Sequence, residues 1–321
     1  MSIRAANFVP WPCLRASVVK KVYMVSQAEL EQRIEAAYKM LESCRVCPRE
    51  CGVNRLKDEK LGFCRSGLNP VIASVSPHHG EEPPISGTKG SGTIFFANCN
   101  MRCEYCQNYP ISQMGHGTER TPGELACQMT WLQEQGCHNL NLVTPTHYVP
   151  QILKAIGIAR ERGFNLPIVY NTSGYDSVEM LLLLDGVIDI YMPDMRYADN
   201  AAAVRYSVAP YYVQINQAAV KEMYRQVGNL VMDEHGIATK GLLVRHLVLP
   251  NGVAGSEGVM KFLSKEISRD VYVSLMSQYF PAFRAAESKQ LARRITEEEY
   301  DEAYDIKMKY GLRNGWVQEF E

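Results

Sequence analysis

The chain is short of several things that would have pointed it elsewhere. No apolar run approaches the ~18 residues needed to span a bilayer, no segment is of low complexity, and no stretch repeats. A surplus of one charge is missing as well: 34 basic against 35 acidic residues leave a formal net charge of -1. That argues against a broad polyanion-binding surface, so neither nucleic acid nor membrane is an expected partner. What remains is 321 residues with 46% apolar and 21% charged side chains. This is ordinary for a soluble globular protein and enough for one large α/β unit with a small module attached.

Cysteine is the residue present in excess. Ten occur, and seven fall into two groups with ligand-like spacing. Such a count in a small secreted domain would read as disulfides. In a chain this large the clustering favours metal binding, and with it a reducing cytoplasm. The first group is Cys99, Cys103 and Cys106, a C-x3-C-x2-C loop placed where the apolar stretch Thr93–Ala97 ends. A four-iron cluster usually takes a protein thiolate at each corner. A loop that offers three leaves one iron open to a ligand from outside.

The second group, Cys44, Cys47, Cys51 and Cys64, reads C-x2-C-x3-C-x12-C. Four thiolates suffice for structural zinc or for an iron–sulfur cluster, and the group also reads as holding no metal; Arg45, Arg49, Arg55, Lys57, Lys60 and Arg65 would offset thiolate charge or form a small anion-facing patch. Cys13, Cys127 and Cys137 show no ligand spacing; the latter two read as buried free thiols.

From Thr93 onward, strand and helix signals alternate. Short, nearly continuous apolar runs, as expected for parallel strands covered on both faces, predict strands at Thr93–Ala97, Leu140–Thr144, Ile168–Asn171, Ile188–Met192, Val244–Leu249 and Val271–Leu275. Capping patterns predict helices opening at Ser26, Thr121, Asp176 and Thr296. Others are expected over 150–163, 214–227 and 256–266. Six strands joined by helices imply a right-handed βα array, an α/β fold whose closure periodicity does not decide.

The string Cys99-Asn-Met-Arg-Cys-Glu-Tyr-Cys-Gln-Asn108 resembles the cluster loop of the radical S-adenosylmethionine (radical SAM) enzymes. Gly80-Glu-Glu-Pro-Pro-Ile-Ser-Gly87 and Gly90-Ser-Gly-Thr-Ile-Phe-Phe96 are similar to the subgroup of pyruvate formate-lyase activating enzyme homologues. So are Leu142-Val-Thr-Pro-Thr-His147, Tyr170-Asn-Thr-Ser-Gly-Tyr175, Tyr191-Met-Pro-Asp-Met-Arg-Tyr197, Arg245-His-Leu-Val-Leu-Pro250 and Leu275-Met-Ser-Gln-Tyr279. The resemblance implies a partial (β/α)6 barrel over residues 91–280. It would be preceded by an extension (1–25), a helix with the Cys-rich module (26–69) and a connecting arm (70–90), and followed by a helical tail (281–321). The basic, acid-free start reads as a dispensable extension, as residues upstream of a true start at Met24, or as a transit-like presequence.

The resemblance further implies a 4Fe–4S cluster on Cys99, Cys103 and Cys106 with S-adenosylmethionine (SAM) on its open iron. Reduction by a donor such as flavodoxin or ferredoxin would yield a 5′-deoxyadenosyl radical that abstracts hydrogen. The substrate expected from the subgroup is a glycine Cα in a partner protein. Modification of a small molecule or peptide, and a non-catalytic redox or electron-transfer role, are the alternatives.

Candidate SAM contacts carry over position by position. Tyr105 matches the aromatic beside the adenine. Thr144, Thr146 and His147 stand where most members have Gly-Gly-Glu, so a different donor must meet the SAM amino group; His147 is equally readable as a structural hydrogen-bonding group. Asn171 and Ser173 resemble contacts after the third strand and also suit an ordinary turn. Asp194 with Arg196 resembles an Asp-x-Lys element, Arg keeping the charge and changing the geometry. Arg245 and His246 are placed to reach the SAM carboxylate or ribose, with a barrel-lining salt bridge as the plain reading of Arg245. Gln278, with Met276 and Ser277, lies where an adenine would. No side chain is singled out as catalytic.

Overall fold

The computed structural model describes residues 24–58 and 60–320; Cys13 and most of the expected N-terminal extension lie outside them. Helix α1 (Gln27–Lys39) starts at Ser26, whose Oγ accepts from the Glu29 N–H at 3.2 Å, and leads into the Cys-rich segment. The chain continues through β1 (Val71–His78), α2 (Pro83–Ser86), β2 (Ser91–Phe96), α3 (Tyr109–Ser112), β3 (Thr118–Glu119), α4 (Pro122–Glu134), β4 (Leu140–Val143), α5 (Val149–Glu161) and β5 (Ile168–Thr172). Then follow α6 (Val178–Leu182), β6 (Ile190–Pro193), α7 (Asn200–Ser207), α8 (Tyr212–Val227), β7 (Val231–Met232), β8 (Ala238–Leu247), α9 (Ser256–Phe262), β9 (Tyr272–Met276), α10 (Glu297–Lys309) and β10 (Gly315–Val317).

The strands form one sheet in the order β10-β9-β8-β6-β5-β4-β2-β1-β3, with β7 pairing β8. The six expected strands are its parallel centre, β2-β4-β5-β6-β8-β9, the α/β architecture of a partial barrel. Thr121 and Thr296 both complete capping boxes, with Glu124 and Glu299 reaching back.

Alternation along these strands sorts residues between two faces. Ile94, Leu142, Tyr170, Tyr191, Val244 and Leu275 point outward and join the helices in the main core. Val169, Ile190, Met192 and Leu243 point inward and pack around Ile85 of α2, with Trp316 of β10 partly covering them. Helix α2 therefore plugs the floor of the barrel interior. Burying each such aliphatic side chain contributes about 1.5–3 kcal/mol.

Three expectations need correcting. The arm is more than a connection: β1 pairs antiparallel with β2 in register Val75↔Ile94. Its half-exposed alternation lacks the continuous apolar run of a doubly covered strand. The tail is not purely helical, since β10 adds a parallel edge to β9 through Trp316↔Ser274. Asp176 does not cap α6, whose N-cap is Ser177. Its buried carboxylate instead accepts from the hydroxyls of Thr146 (2.7 Å), Tyr170 (2.9 Å) and Thr172 (2.6 Å), which offer more than one exposed helix end would.

Candidate functional site

Strand β2 delivers the chain to Asn98, which takes a left-handed φ of 66°, a conformation Asn tolerates because its short amide bonds locally. Its N–H donates to the Ile111 carbonyl at 2.9 Å, and its Nδ2 donates to the Tyr148 hydroxyl at 3.3 Å. The turn throws residues 99–106 across the C-terminal ends of the strands. There the Arg102 and Glu104 N–H groups donate to the Ser207 and Tyr206 carbonyls at 3.0 and 2.8 Å, fastening the loop to the end of α7.

All three loop thiols are free. Cys99 and Cys103 are buried and Cys106 is half-buried. Each sulfur has a polar partner. The Met101 N–H donates to Cys99 Sγ at 3.3 Å, the Ser207 hydroxyl to Cys103 Sγ at 3.0 Å, and the Ser112 hydroxyl lies 3.0 Å from Cys106 Sγ. Burial first, and the neighbouring Cys103 second, push the Cys99 thiol up to about 12. Bound metal charge reverses that preference, because coordination requires the thiolate. Three free thiols on one loop, each with a hydrogen-bonding neighbour, are a donor set that fits the separate corners of an iron–sulfur cluster.

The barrel interior behind this loop carries an alternating charge network. Asn171, Asp194 and Arg245 come from neighbouring strand ends and share the inward face. Arg245 Nε donates to Asp194 Oδ1 at 2.9 Å and its Nη2 to Asn171 Oδ1 at 2.8 Å. Arg196 pairs with the other Asp194 oxygen. Burial opposes its charge, but Asp194 and the Cys103 sulfur outweigh that, so Arg196 stays protonated between the cluster loop and the network. Two carboxylates missed at the sequence level complete it: Glu81 and Glu82 approach Arg245 at 3.7 and 4.0 Å. Burial raises the Glu81 carboxyl to about 7 in spite of Arg245, and Glu82 Oε2 is buried without a partner. Both acids, with Arg245, Ser274, Met276 and Gln278, line a cavity. The signal that could have found them is two adjacent acids immediately before Pro83-Pro84, in a segment whose Ile85 fills the barrel floor.

The other candidates divide. Tyr105 is buried in the loop, edge-on to Tyr197 and Tyr279 with ring centroids 6.5 and 5.9 Å away. Thr144 ends β4 at φ 60°, a strained conformation for a β-branched residue. Ser173 offers its carbonyl to the Tyr212 hydroxyl. Gln278 caps the mouth, its carbonyl accepting from Gln107 Nε2 at 2.8 Å.

Three candidates face away from the interior network. Thr146 belongs to the Asp176 hydroxyl cluster. His246 points outward from β8, one position out of phase with Arg245; its ring nitrogens meet the Met195 carbonyl (2.7 Å) and Ser256 Oγ (3.0 Å). His147 is fully buried. Its Nε2 lies 3.0 Å from the Ala97 carbonyl, and burial lowers it to about 3, so it is neutral.

His147 also lines a second cavity with all four cysteines of the N-terminal group and Arg55. Among the described residues no three or more His, Cys, Asp or Glu side chains are arranged to hold one metal ion. Cys137 is a free buried thiol as expected, whereas Cys127 is disulfide-bonded, contrary to its reading as a free thiol.

The family model described as the radical SAM superfamily matches residues 93–200, from β2 through the three-cysteine loop to the start of α7. The chain belongs to the radical SAM superfamily. It is 32% identical over 293 residues to the uncharacterised protein MJ0674 of Methanocaldococcus jannaschii, covering 88% of this chain and 79% of that protein. The uncharacterised protein MJ0808 of the same organism is 30% identical over 159 residues, 44% of this chain and 46% of that one. Among solved structures, methylornithine synthase (PylB) is similar at a TM-score of 0.46 and 13% identity, covering 92% of this chain and 82% of that one. TYW1 with a lysine–pyruvate adduct is similar at 0.41 and 12%, covering 69% and 74%. As a radical SAM enzyme the protein uses a 4Fe–4S cluster and SAM. No helix among the described residues is long and apolar enough to cross a membrane.

Proposed function

We propose that Cys99, Cys103 and Cys106 hold the cluster and that the interior network orients SAM and substrate. The hydrogen removed would come from the Cα of a glycine in a partner protein, as in the pyruvate formate-lyase activating enzymes. The observation that carries the radical chemistry is the three-thiol loop with a hydrogen-bonding neighbour at every sulfur, facing a charged barrel interior. Held by Cys99, Cys103 and Cys106, a 4Fe–4S cluster would supply the one-electron reduction of SAM from which the hydrogen-abstracting radical derives. The protein's own part is positional. Arg196 and Arg245 present fixed cationic donors to a carboxylate, Asn171 and Glu82 present acceptors, and Tyr105 offers an aromatic face. The buried, tyrosine-rich surround keeps water from the reacting carbon.

A protein substrate is supported by the rim beside the loop. Phe283 is 39% exposed and stacks on Tyr109 at 5.0 Å, and Phe280 is 40% exposed. The Arg284 N–H donates to the Glu104 carbonyl at 2.9 Å, tying this apolar rim to the cluster loop. Exposed aromatics of this kind suit a protein contact, and a flavodoxin or ferredoxin in the cytoplasm is the matching electron donor. A small-molecule or peptide substrate is the second reading, favoured by the unpartnered Glu82 oxygen in a cavity inside the barrel.

The test is anaerobic reconstitution with iron and sulfide, followed by SAM and dithionite. Formation of 5′-deoxyadenosine is expected, and a reduced cluster without that product assigns the protein to electron carriage. Deuterium placed on the glycine Cα of a candidate glycyl-radical enzyme should appear in 5′-deoxyadenosine. Its absence, with the nucleoside still formed, assigns the small-molecule reading.

A further inference from the structure

The radical chemistry above leaves four cysteines unused, and they are not scattered. The α1 helix ends at Lys39 and the chain folds back on itself. The Cys44 N–H donates to the Val53 carbonyl at 2.9 Å and the Gly52 N–H to the Cys44 carbonyl at 3.1 Å. This brings Cys44, Cys47, Cys51 and Cys64 onto the wall of one cavity. All four thiols are free, three of them buried. The Phe63 N–H donates to Cys51 Sγ at 3.3 Å, the arrangement seen at Cys99.

Two buried polar atoms on residues of the same cavity lack partners. Arg55 is 1% exposed. Its Nε donates to the Gly67 carbonyl and its Nη1 to the His147 carbonyl, with Cys44 Sγ 3.9 Å away, but Nη2 has no acceptor. His147, 0% exposed, donates through Nε2 to Ala97, which leaves Nδ1 as a bare lone pair. A buried guanidinium nitrogen with no acceptor has lost its water and gained nothing in exchange. A wall of thiols beside such a cation is therefore built around an anionic occupant.

The cavity wall is tied to the first cysteine loop by hydrogen bonds. Arg102 donates through Nη2 to the Phe63 carbonyl, next to Cys64, and through Nη1 to the Cys99 carbonyl at 3.0 Å. Arg49, from the other cysteine turn, donates through Nε to the Asn100 carbonyl at 2.8 Å and lies 3.7 Å from the centre of the Phe63 ring. Two guanidinium groups thus clamp the two cysteine segments together across a single aromatic ring.

We propose that Cys44, Cys47, Cys51 and Cys64 hold a second iron–sulfur cluster, joined to the first cysteine loop through Arg102. Zinc needs four sulfurs at ~2.3 Å from a single point. Among the described residues no three such side chains are arranged to hold one ion, while these four line a shared cavity, as corners on separate irons require. Bridging sulfides would also give the Arg55 Nη2 the acceptor it lacks. The hydrogen-bonded path from Cys64 through Phe63 and Arg102 to Cys99 makes this cluster the entry point for electrons. An external one-electron donor protein is oxidised as the second cluster is reduced, and the same electron then passes to the first cluster, with no proton or atom transferred.

The inference rests on a cluster at Cys99, Cys103 and Cys106, and the experiment separates the two. Protein purified anaerobically and reconstituted with iron and sulfide is assayed for iron, sulfide and zinc, wild type beside the triple variant C99A/C103A/C106A. About eight irons per chain are expected in the wild type and about four in the variant, which should keep a reducible cluster signal in electron paramagnetic resonance. In the doubly reduced wild type the two signals should broaden each other. About four irons in the wild type with none in the triple variant overturns the second cluster while leaving the first intact. One zinc per chain retained by the variant overturns it in favour of a structural ion. Iron equal in wild type and variant overturns the first site instead.

Discussion

Replacing Glu81 by Gln tests the electrostatics of the barrel interior directly. The Glu81 side chain is 9% exposed and faces Arg245, with Glu82 and Asp194 also close. Burial raises its carboxyl from 4.5 to about 7, and the attraction of Arg245 falls short of cancelling that. At about 1.4 kcal/mol per pH unit, the folded state favours the neutral acid by on the order of 3 kcal/mol. The sign follows from proton counting. Between pH 4.5 and about 7 the folded chain holds a proton on Glu81 that the unfolded chain has lost. Stability contributed by this group is therefore fully present at the acid end and falls as pH rises through that window.

Glutamine keeps the shape and cannot ionise. E81Q should match the wild type near about pH 4.5 and exceed it by up to about 3 kcal/mol near about pH 8. Anaerobic denaturant titration of the two proteins side by side at both pH values reads this difference. A variant equally stable with wild type at both, or less stable at the higher pH, would refute the claim that desolvation outweighs Arg245 at this position.

Other consequences are as open to measurement. Arg245→Met removes the one cation shared by Asp194, Glu81 and Glu82, and should cost about 3–5 kcal/mol in denaturant midpoint analysis; adding Asp194→Asn should recover part of it, a coupling a double-mutant cycle reports. Cys103→Ala should abolish 5′-deoxyadenosine formation and lower iron by about four per chain. Thr144→Gly relieves the left-handed strain at the end of β4 and should raise stability by up to about 1 kcal/mol by thermal unfolding. His246→Ala should cost about 1–3 kcal/mol through its two lost hydrogen bonds, and change SAM affinity less than twofold by equilibrium binding, because the ring faces α9.

The fold was legible where the chain is covered on both sides. The six central strands announce themselves because parallel strands sandwiched between helices and a filled interior must be apolar throughout. β1 and β10 escaped notice for the opposite reason, being half-exposed or three residues long at a sheet edge. The cysteine loop was legible because its spacing is local. The interior network was legible only in part. Asn171, Asp194 and Arg245 lie at strand ends and follow from alternation, but Glu81 and Glu82 enter from an arm some 110 residues before Asp194. No periodicity links the two segments. Asp176 misled for a physical reason: an acid three residues before Glu179 is the pattern of an N-cap, yet three buried hydroxyls compete for it more effectively.

The division between Arg245 and His246 shows how much depends on strand register. Adjacent on β8, they were equal candidates for SAM, and a shift of one residue would exchange them. The pairing Arg245↔Ser274 and His246↔Leu275 fixes the answer. Ser274 belongs to the cavity that holds Glu81 and Glu82, whereas Leu275 belongs to the outer core. The same parity sends Asn171 inward and Thr172 outward, and Thr172 then joins Thr146 around Asp176. Thr146 therefore follows the outer layer although it sits beside a strand end, because its partner's face was already decided. His147, one residue on, reaches neither layer; it turns to the cysteine module, where its carbonyl takes the Arg55 guanidinium. A stretch that stands in place of Gly-Gly-Glu thus supplies no carboxylate to the interior. The acids that do face it come from Glu81 and Glu82, on the segment that α2 anchors into the barrel floor.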